Sequence, residues 1–382
     1  MLKFFLNIKF WMPLVIVFIM AVLLDVIFRL GYWNDFIKPK SYLGNAIYRE
    51  KAIKDFGLEN IHWITIGDSR FDWGIEHSRI KNTQKRNGLN HLRMSFESSN
   101  FMAIQTTIEW SIANMPNLKG ILIGVSEDGF SHYSAATNQY KVAWPFRSFI
   151  KYNKYQYFDF KSHLYSYFTR YGMSVYFNDL RFFLRNIVKR FKDINDFINN
   201  DFHNIFEFNR NMQGNICQYQ LDDLKDCILT AKELHKKKTK LKGAENFIYK
   251  VCYNSQSSTL PNEKFIPTQL SSQEKEDLSN QWVSLFSIIN QKNIELKLVY
   301  LPDHDIFDYA IKSNNAHEVS NKIINHVGML KNTEILDLSK EFKTKNKFQS
   351  CQLYKDPLHF NNIGKSLITE KIINRFFLTV SK

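Results

Sequence analysis

Apolar positions change rhythm twice along the chain, and each rhythm predicts a different kind of element. The first is continuous: "FWMPLVIVFIMAVLLDVIFRLGYW", Phe10 to Trp33, carries no charge in its first fifteen residues. Extended through Phe28, such a run is long enough as a helix to cross a hydrocarbon core about 30 Å thick. No small-x-small cleavage site succeeds it, so an uncleaved membrane anchor is expected over a removed signal peptide, with a buried core helix as the competing reading. Residues 1–33 are therefore assigned to an N-terminal tail and transmembrane anchor, and the mixed, charged residues 34–59 to a tether with at most a short helix. Lys3 and Lys9 precede the span while Arg29, Lys38 and Lys40 come after it, so the charge rule leaves the orientation open. Asp25, near the far end of the span, sits either at headgroup level or against a partner helix.

The second rhythm alternates. Short β-rich runs at Ile61 to Gly67, Leu89 to Ser95 and Leu118 to Ser126 are joined by the helical stretch Asn100 to Met115. The same pattern resumes with a helix opened by Ser271 and Glu274 at capping-box spacing, then a strand from Ile294 to Pro302. Helical stretches from Asp305 to Leu330, a short strand from Glu334 to Leu338 and a last helix from about Asn362 to Phe377 complete it. Strands alternating with helices imply crossover connections. The expected fold class is α/β: a three-layer, doubly wound, five-stranded parallel sheet of flavodoxin-like type, shared between residues 60–130 and 271–382. The crevice of such a sheet lies at the carboxyl ends of its strands.

Between these halves, residues 131–270 form a large, mainly helical insertion rich in Phe, Tyr, Lys and Arg. "NDLRFFLRNIVKRFKDINDFI", within it, has helical spacing with basic residues on its polar side. Two readings fit: an amphipathic element lying on the membrane surface next to the anchor, or a helical subdomain packing its aromatics on the α/β core. The net charge of +14 would suit a nucleic acid, an anionic membrane or an anionic polymer. The densest basic run, "HKKKTKLKG" from His235 to Gly243, lacks the interleaved aromatics that stack on bases and reads as a solvated face, so no nucleic-acid partner is expected. Cys217, Cys227, Cys252 and Cys351 show no zinc-ligand spacing, and neither a metal nor another cofactor is expected. One or two disulfides fit an oxidising compartment; Cys217 and Cys227 are the nearest pair in sequence, and the connectivity stays open.

The chemistry concentrates at two strand ends. Ser69, in "ITIGDSRFDWG", directly succeeds the first strand, where a nucleophile would stand. A serine hydroxyl needs a base, and the base needs a third group to fix its tautomer. "YKDPLHFNN" supplies both, just after the fifth strand: on a turn opening a helix, Asp356 and His359 share one side, so that Asp356 holds Nδ1 and Nε2 faces Ser69. Arg70 and Asp72 after the nucleophile, and Asp303 and His304 after the fourth strand, are substrate-binding candidates, with loop capping and salt bridging as the alternative.

Gly67-Asp68-Ser69 and Asp356-Pro357-Leu358-His359 make the chain resemble the SGNH/GDSL hydrolase superfamily, over roughly residues 60 to 130 and 290 to 380. With its anchor and insertion it looks most similar to membrane-tethered members that act on bacterial surface polymers, such as the D-alanine transfer protein of teichoic acids and the alginate O-acetylation proteins. The resemblance implies a catalytic triad of Ser69, His359 and Asp356. Two blocks depart from the family pattern. "RMSFESSN" lacks the glycine of the second, and "GVSED" has Ser126 where the third carries an asparagine oxyanion donor. The oxyanion-hole candidates are therefore the Ser69 and Ser95 backbone amides and the Ser126 hydroxyl. The function implied is that of a membrane-anchored serine esterase or O-acyltransferase acting on acyl esters of a cell-surface polysaccharide. The domain would lie outside the cytoplasmic membrane, and a multi-pass membrane acyltransferase and membrane lipid are the expected partners. The alternative is a catalytically weak SGNH-fold scaffold that binds glycan or a membrane acyltransferase.

Overall fold

The inner strands are buried at every position, as a sheet covered on both faces requires. A computed structural model of the chain describes residues 8–97, 99–126, 129–130, 137–150, 172–207, 210–219, 221, 224–236, 241, 244–254, 271–302, 304, 316–342 and 351–378. The main helices are α1 (Ile8–Arg29), α2 (Tyr42–Phe56), α3 (Ser69–Gly74), α4 (His77–Arg86), α5 (Phe101–Asn114), α6 (Gly172–Arg185) and α7 (Ile187–Asn200). They continue with α8 (Leu224–Lys236), α9 (Ala244–Asn254), α10 (Ser272–Gln291), α11 (Ala316–Val327) and α12 (Asn362–Ile372). Strands β1 (Trp63–Gly67), β2 (His91–Arg93), β3 (Gly120–Ser126), β4 (Glu295–Leu301) and β5 (Thr333–Asp337) form one all-parallel sheet in the order β2-β1-β3-β4-β5. The period of two sends Ile64, Ile66, Ile121, Ile123, Leu296 and Leu298 to a core shared with α2, α5, α10 and α11. Trp63, Leu122, Val299 and Leu301 face the other way, onto α3, α4, α8, α9 and α12. The α/β expectation and all five strand positions hold, and Ser271 and Glu274 form the reciprocal capping box over α10.

Trp11–Arg29 of α1 has a mean hydropathy of 2.6 with little of it buried, and is long and apolar enough to cross a membrane. Its last turn is part of the folded body: Phe28 stacks on Tyr176 of α6 at 4.9 Å. The segment after it is not a loose tether. α2 is a fifteen-residue helix, capped by the Ser41 hydroxyl on the Gly44 amide, and it buries Leu43, Ala46, Ile47 and Ile53. Its charged positions, Glu50, Lys51, Lys54 and Asp55 among them, mask that apolar stripe in the sequence.

The described part of the insertion is mainly helical, and it packs into the body of the protein rather than standing apart. Val175, Tyr176, Phe197 and Ile205 pack with Phe28, Ile37, Leu43 and Ile47, while Cys227, Ala231 and Ile248 join the core beneath α12. Cysteine pairing obeys this packing and not sequence proximity. Cys227 on α8 meets Cys252 on the facing α9, and Cys217 meets Cys351 beside the ribbon of β6 (Tyr354–Asp356) and β7 (His359–Phe360). Cys217 and Cys227, the nearest pair in sequence, are not joined.

The bridges close loops of 134 and 25 residues. By loop entropy, replacing Cys217 and Cys351 with Ser is expected to cost about 5 kcal/mol and replacing Cys227 and Cys252 about 3.5 kcal/mol. Urea unfolding of the two double variants checks the order. Denatured without reductant, the native chain should take up no thiol reagent.

Candidate active site

Two glycines and one carboxylate put Ser69 in place. Gly67 ends β1 in register with Gly124 of β3. A Cβ on Gly67 would approach Phe71 to 2.7 Å and one on Gly124 would approach it to 2.0 Å, so only glycine at both positions lets Phe71 draw α3 against the strand ends. Asp68 opens that helix, its Oδ1 accepting from the amides of Arg70 (2.9 Å) and Phe71 (3.3 Å). Burial raises the Asp68 carboxyl above the ordinary carboxylate range, against the pull of Arg70 beside it. Strand order reverses between β1 and β3, and the crevice of an open α/β sheet opens at such a point. Ser69 and Ser126 both stand at the ends of those strands.

Ser69, His359 and Asp356 form one hydrogen-bonded line. The Ser69 hydroxyl lies 3.2 Å from His359 Nε2, and His359 Nδ1 lies 3.0 and 3.1 Å from the two carboxylate oxygens of Asp356. The carboxylate accepts from Nδ1–H, which leaves Nε2 the lone pair that receives the serine O–H. The spacing of Asp356 and His359 works for a reason other than the expected helix-opening turn. Both residues belong to a two-stranded antiparallel ribbon in which they stand directly opposite each other. Asp356 Oδ1 also accepts from the amides of Leu358 (2.9 Å) and His359 (3.0 Å), so the carboxylate that orients the base also ties its turn.

Three residues outside the expected site complete the surroundings of the base. Trp73 lies four residues after Ser69 on α3, and its ring packs on the His359 imidazole with centroids 4.4 Å apart. The Arg210 guanidinium covers the Trp73 ring at 3.8 Å. Glu97 accepts from Trp73 Nε1 and from Arg210 Nη1, each at 3.2 Å, and locks the stack. Helical spacing from Ser69 was a signal for Trp73; Arg210 had none, since nothing in the sequence of the insertion connects it to this site. Beyond Glu97 and Arg210 opens a cavity of about 890 Å³ that Lys38, Lys40, Arg49, Lys141, Lys189 and Arg190 make predominantly basic.

The oxyanion-hole candidates lie on segments bonded to residues flanking Ser69. Phe96 N donates to Gly67 O at 3.3 Å, so the segment bearing Ser95 runs beside the Gly67-Asp68-Ser69 turn. Ser95 itself is fully buried, its hydroxyl donating to Thr65 O (3.3 Å) and its carbonyl accepting from Arg49. The Ser126 hydroxyl accepts from Arg70 Nη1 and from the Gly129 amide at 3.2 Å. With both lone pairs taken, its own hydrogen is the one left to donate.

The substrate-binding candidates take other places. Arg70 is buried against Ser126, where its cation acts on the hydroxyl rather than reaching outward. Asp72 is buried in an ion pair with Arg93, 2.6 Å from Arg93 Nε at Oδ1 and bonded to Nη2 through Oδ2, with His77 Nε2 3.3 Å away. Burial pushes the Asp72 carboxyl up, but the Arg93 guanidinium outweighs it and holds the group well below the usual range. His304 is buried with its ring edge-on to Tyr354 at 5.2 Å, and burial pushes its imidazole down to about 4. Asp72 and His304 are therefore structural supports under the site and not groups presented to a substrate. Asp303 lies outside the described residues. Among the described residues no cluster of His, Cys, Asp and Glu is arranged to hold a metal ion. No family model matches the chain, and no curated protein matches it.

Arg93→Ala is expected to destabilise the chain by about 3–5 kcal/mol, because it leaves Asp72 buried without its cation; the denaturant midpoint of the purified variant checks this. A second expectation concerns acid. His77, His91 and His304 are buried, and burial lowers all three imidazoles, His91 to about 3 and His304 to about 4. The stability held by such groups is complete above their unfolded value of about 6.5 and is lost as pH falls toward the folded values. Between about pH 6.5 and 5 His91 and His304 each contribute a loss of up to about 1.4 kcal/mol per pH unit. Urea midpoints across this range should fall steadily, and His91→Gln should lessen the slope.

Proposed function

We propose that the chain is a membrane-anchored serine esterase or O-acyltransferase of the SGNH/GDSL type, acting on acyl esters of a cell-surface polysaccharide. The continuous Ser69–His359–Asp356 contact carries this reading, because it joins residues 290 positions apart into the donor, base and orienting group that acyl transfer needs. The strand order and the position of Ser69 at the reversal between β1 and β3 support the same family. α1 is the membrane anchor, and two disulfides suit a domain facing an oxidising compartment outside the cytoplasm. The basic cavity reaching Arg210 fits an acidic polymer as acceptor or donor, with a multi-pass membrane acyltransferase as the source of acyl groups.

In this mechanism Ser69 Oγ attacks the ester carbonyl while its proton passes to His359 Nε2. Asp356 stabilises the imidazolium that forms and keeps its orientation. The tetrahedral oxyanion is met by the Ser69 and Ser95 amides and by the Ser126 hydroxyl, which Arg70 polarises. Collapse breaks the ester C–O bond, and the leaving alkoxide takes the proton from His359. A glycan hydroxyl or water then gives its proton to Nε2 and attacks the acyl-enzyme, and Ser69 recovers its own proton as it leaves. Trp73 and Arg210 cover one face of the imidazole and hold its plane.

A fluorophosphonate probe should label the native chain at Ser69 and fail on Ser69→Ala. His359→Ala should slow acyl-ester turnover by roughly 10⁴-fold or more, and Ser126→Ala should lower kcat by about 10²- to 10³-fold. Absence of labelling, together with unaltered cellular function in the Ser69→Ala and His359→Ala strains, would instead fit the scaffold role. Protease digestion of intact spheroplasts should remove the domain and spare α1.

A further inference from the structure

Outside the span, large exposed apolar side chains concentrate at one place, the elbow where α6 meets α7. Within ten residues Phe182, Leu184, Ile187, Val188 and Phe191 are 57%, 64%, 44%, 85% and 45% exposed. A soluble surface rarely leaves such a group uncovered. The opposite sides of the same helices are spent on the core through Val175, Tyr176, Ile194 and Phe197. Arg181, Arg185, Lys189 and Lys192 are interleaved with the exposed apolar positions, all exposed and without an ion-pair partner among the described residues.

The elbow is fastened to the point where α1 ends. Phe28 stacks on Tyr176, and Trp33 meets Phe183 edge-on at 5.1 Å. Asp179 of α6 accepts from Trp33 Nε1 (3.2 Å), from the Lys38 amide (3.3 Å) and from Arg190 of α7 (2.9 and 3.0 Å). Arg190 also donates to Phe36 O at 2.8 Å. Leu30 and Tyr32, at the exit from α1, are 65% and 70% exposed, an apolar and an aromatic group at the level where a bilayer surface would lie.

We infer that the α6–α7 elbow is a second membrane contact: its apolar corner enters the interface of the bilayer that α1 crosses, with Arg181, Arg185, Lys189 and Lys192 on anionic headgroups. This rests on α1 being a membrane span. A bilayer is the occupant favoured because the elbow is continuous with the end of the span, and because apolar and cationic side chains alternate, as in helices lying in the headgroup region. The consequence reaches the site. α7 leads to Ile205, whose carbonyl accepts from Arg93 at 3.3 Å, and then to Arg210 over Trp73. The seat thus holds the cover of His359 at a fixed height above the membrane.

All four cysteines are in disulfides, so a single added cysteine is a unique labelling site. Full-length chains carrying Val188→Cys, Phe18→Cys within the span, or Met329→Cys, an exposed position away from the elbow, are labelled with a polarity-sensitive fluorophore. They are then reconstituted in phosphatidylcholine–phosphatidylglycerol vesicles. A quencher attached near the lipid headgroup should extinguish the Val188 label, a deep quencher the Phe18 label, and neither the Met329 label. Adding Arg185→Glu, Lys189→Glu and Lys192→Glu should reduce the Val188 quenching roughly tenfold, as phosphatidylcholine alone should do in part. A Val188 label that is shielded from water yet unquenched would mean a protein partner or second copy on the elbow and would overturn the seat. So would a label as wet as that at Met329, in a chain that still floats with the vesicles and still quenches at Phe18; α1 would then stand without it. A chain that does not float removes the span and the seat together, and leaves labelling of Ser69 to be judged by itself.

Discussion

The buried pair of Asp72 and Arg93 is the contact on which the placement of the nucleophile depends. α3 has six residues, too few to persist as a helix without tertiary support. Phe71, filling the gap above Gly67 and Gly124, sets its distance from the sheet, but a single ring leaves rotation about that point free. Arg93, anchored at the end of β2, removes that freedom by gripping Asp72 at two oxygens, and His77 of α4 closes the third side. The desolvation cost of two buried charges is offset only when both are fully bonded, and the Ile205 carbonyl takes a further Arg93 proton. Ser69 thus has its direction set by a contact three residues away that never meets the substrate.

The same economy recurs at the base. Asp356 bonds two backbone amides of its own turn and the imidazole beyond it, so the ribbon cannot open without releasing His359. The candidate site residues stand at the ends of different elements, and each is held by a neighbour: Asp68 for Ser69, Asp356 for His359, and Arg70 for Ser126.

Much of this was legible from local pattern. The runs of β1 and β3 are short, β-rich and apolar nearly throughout, as buried parallel strands are, and the capping-box spacing at Ser271 marked the start of α10 directly. The pairing of Ser69 with Asp356 and His359 came from where strands end, although the ribbon that brings the last two together is only two to three residues per strand and below any pattern signal. Tertiary contacts stayed hidden. α2 looked like a tether because charged residues interrupt its apolar stripe, and Arg49, within that stretch, is buried on Phe96 with Nη1 bonded to Ser95 O. Asp72 looked available to a substrate because a sequence does not show that Arg93 lies beside it. The cysteine connectivity stayed open for the same reason: tertiary packing, and not nearness in sequence, decides which sulfurs meet.

Arg49 links the two ends of the molecule. It extends from α2, which packs on the last turn of α1 through Leu43 and Ile47, to the segment carrying Ser95 and Glu97. Its guanidinium bonds Ser95 O and Asn45 Oδ1 (3.0 Å) but no carboxylate, and burial, with Arg93 nearby, holds its pKa well below the ordinary guanidinium range. A buried cation is costly, and here Asp72 and Glu97 offset that cost through space without bonding the guanidinium. Arg49 ties the helix after α1 to the segment beside the Gly67-Asp68-Ser69 turn, while Arg210 ties the insertion to His359 through Trp73 and Glu97. Between them the end of α1 and the Ser69–His359–Asp356 line are parts of one packed body. The distance of Ser69 from the end of α1 is then set by the packing of α2, α6 and α7, and not by the length of a flexible linker.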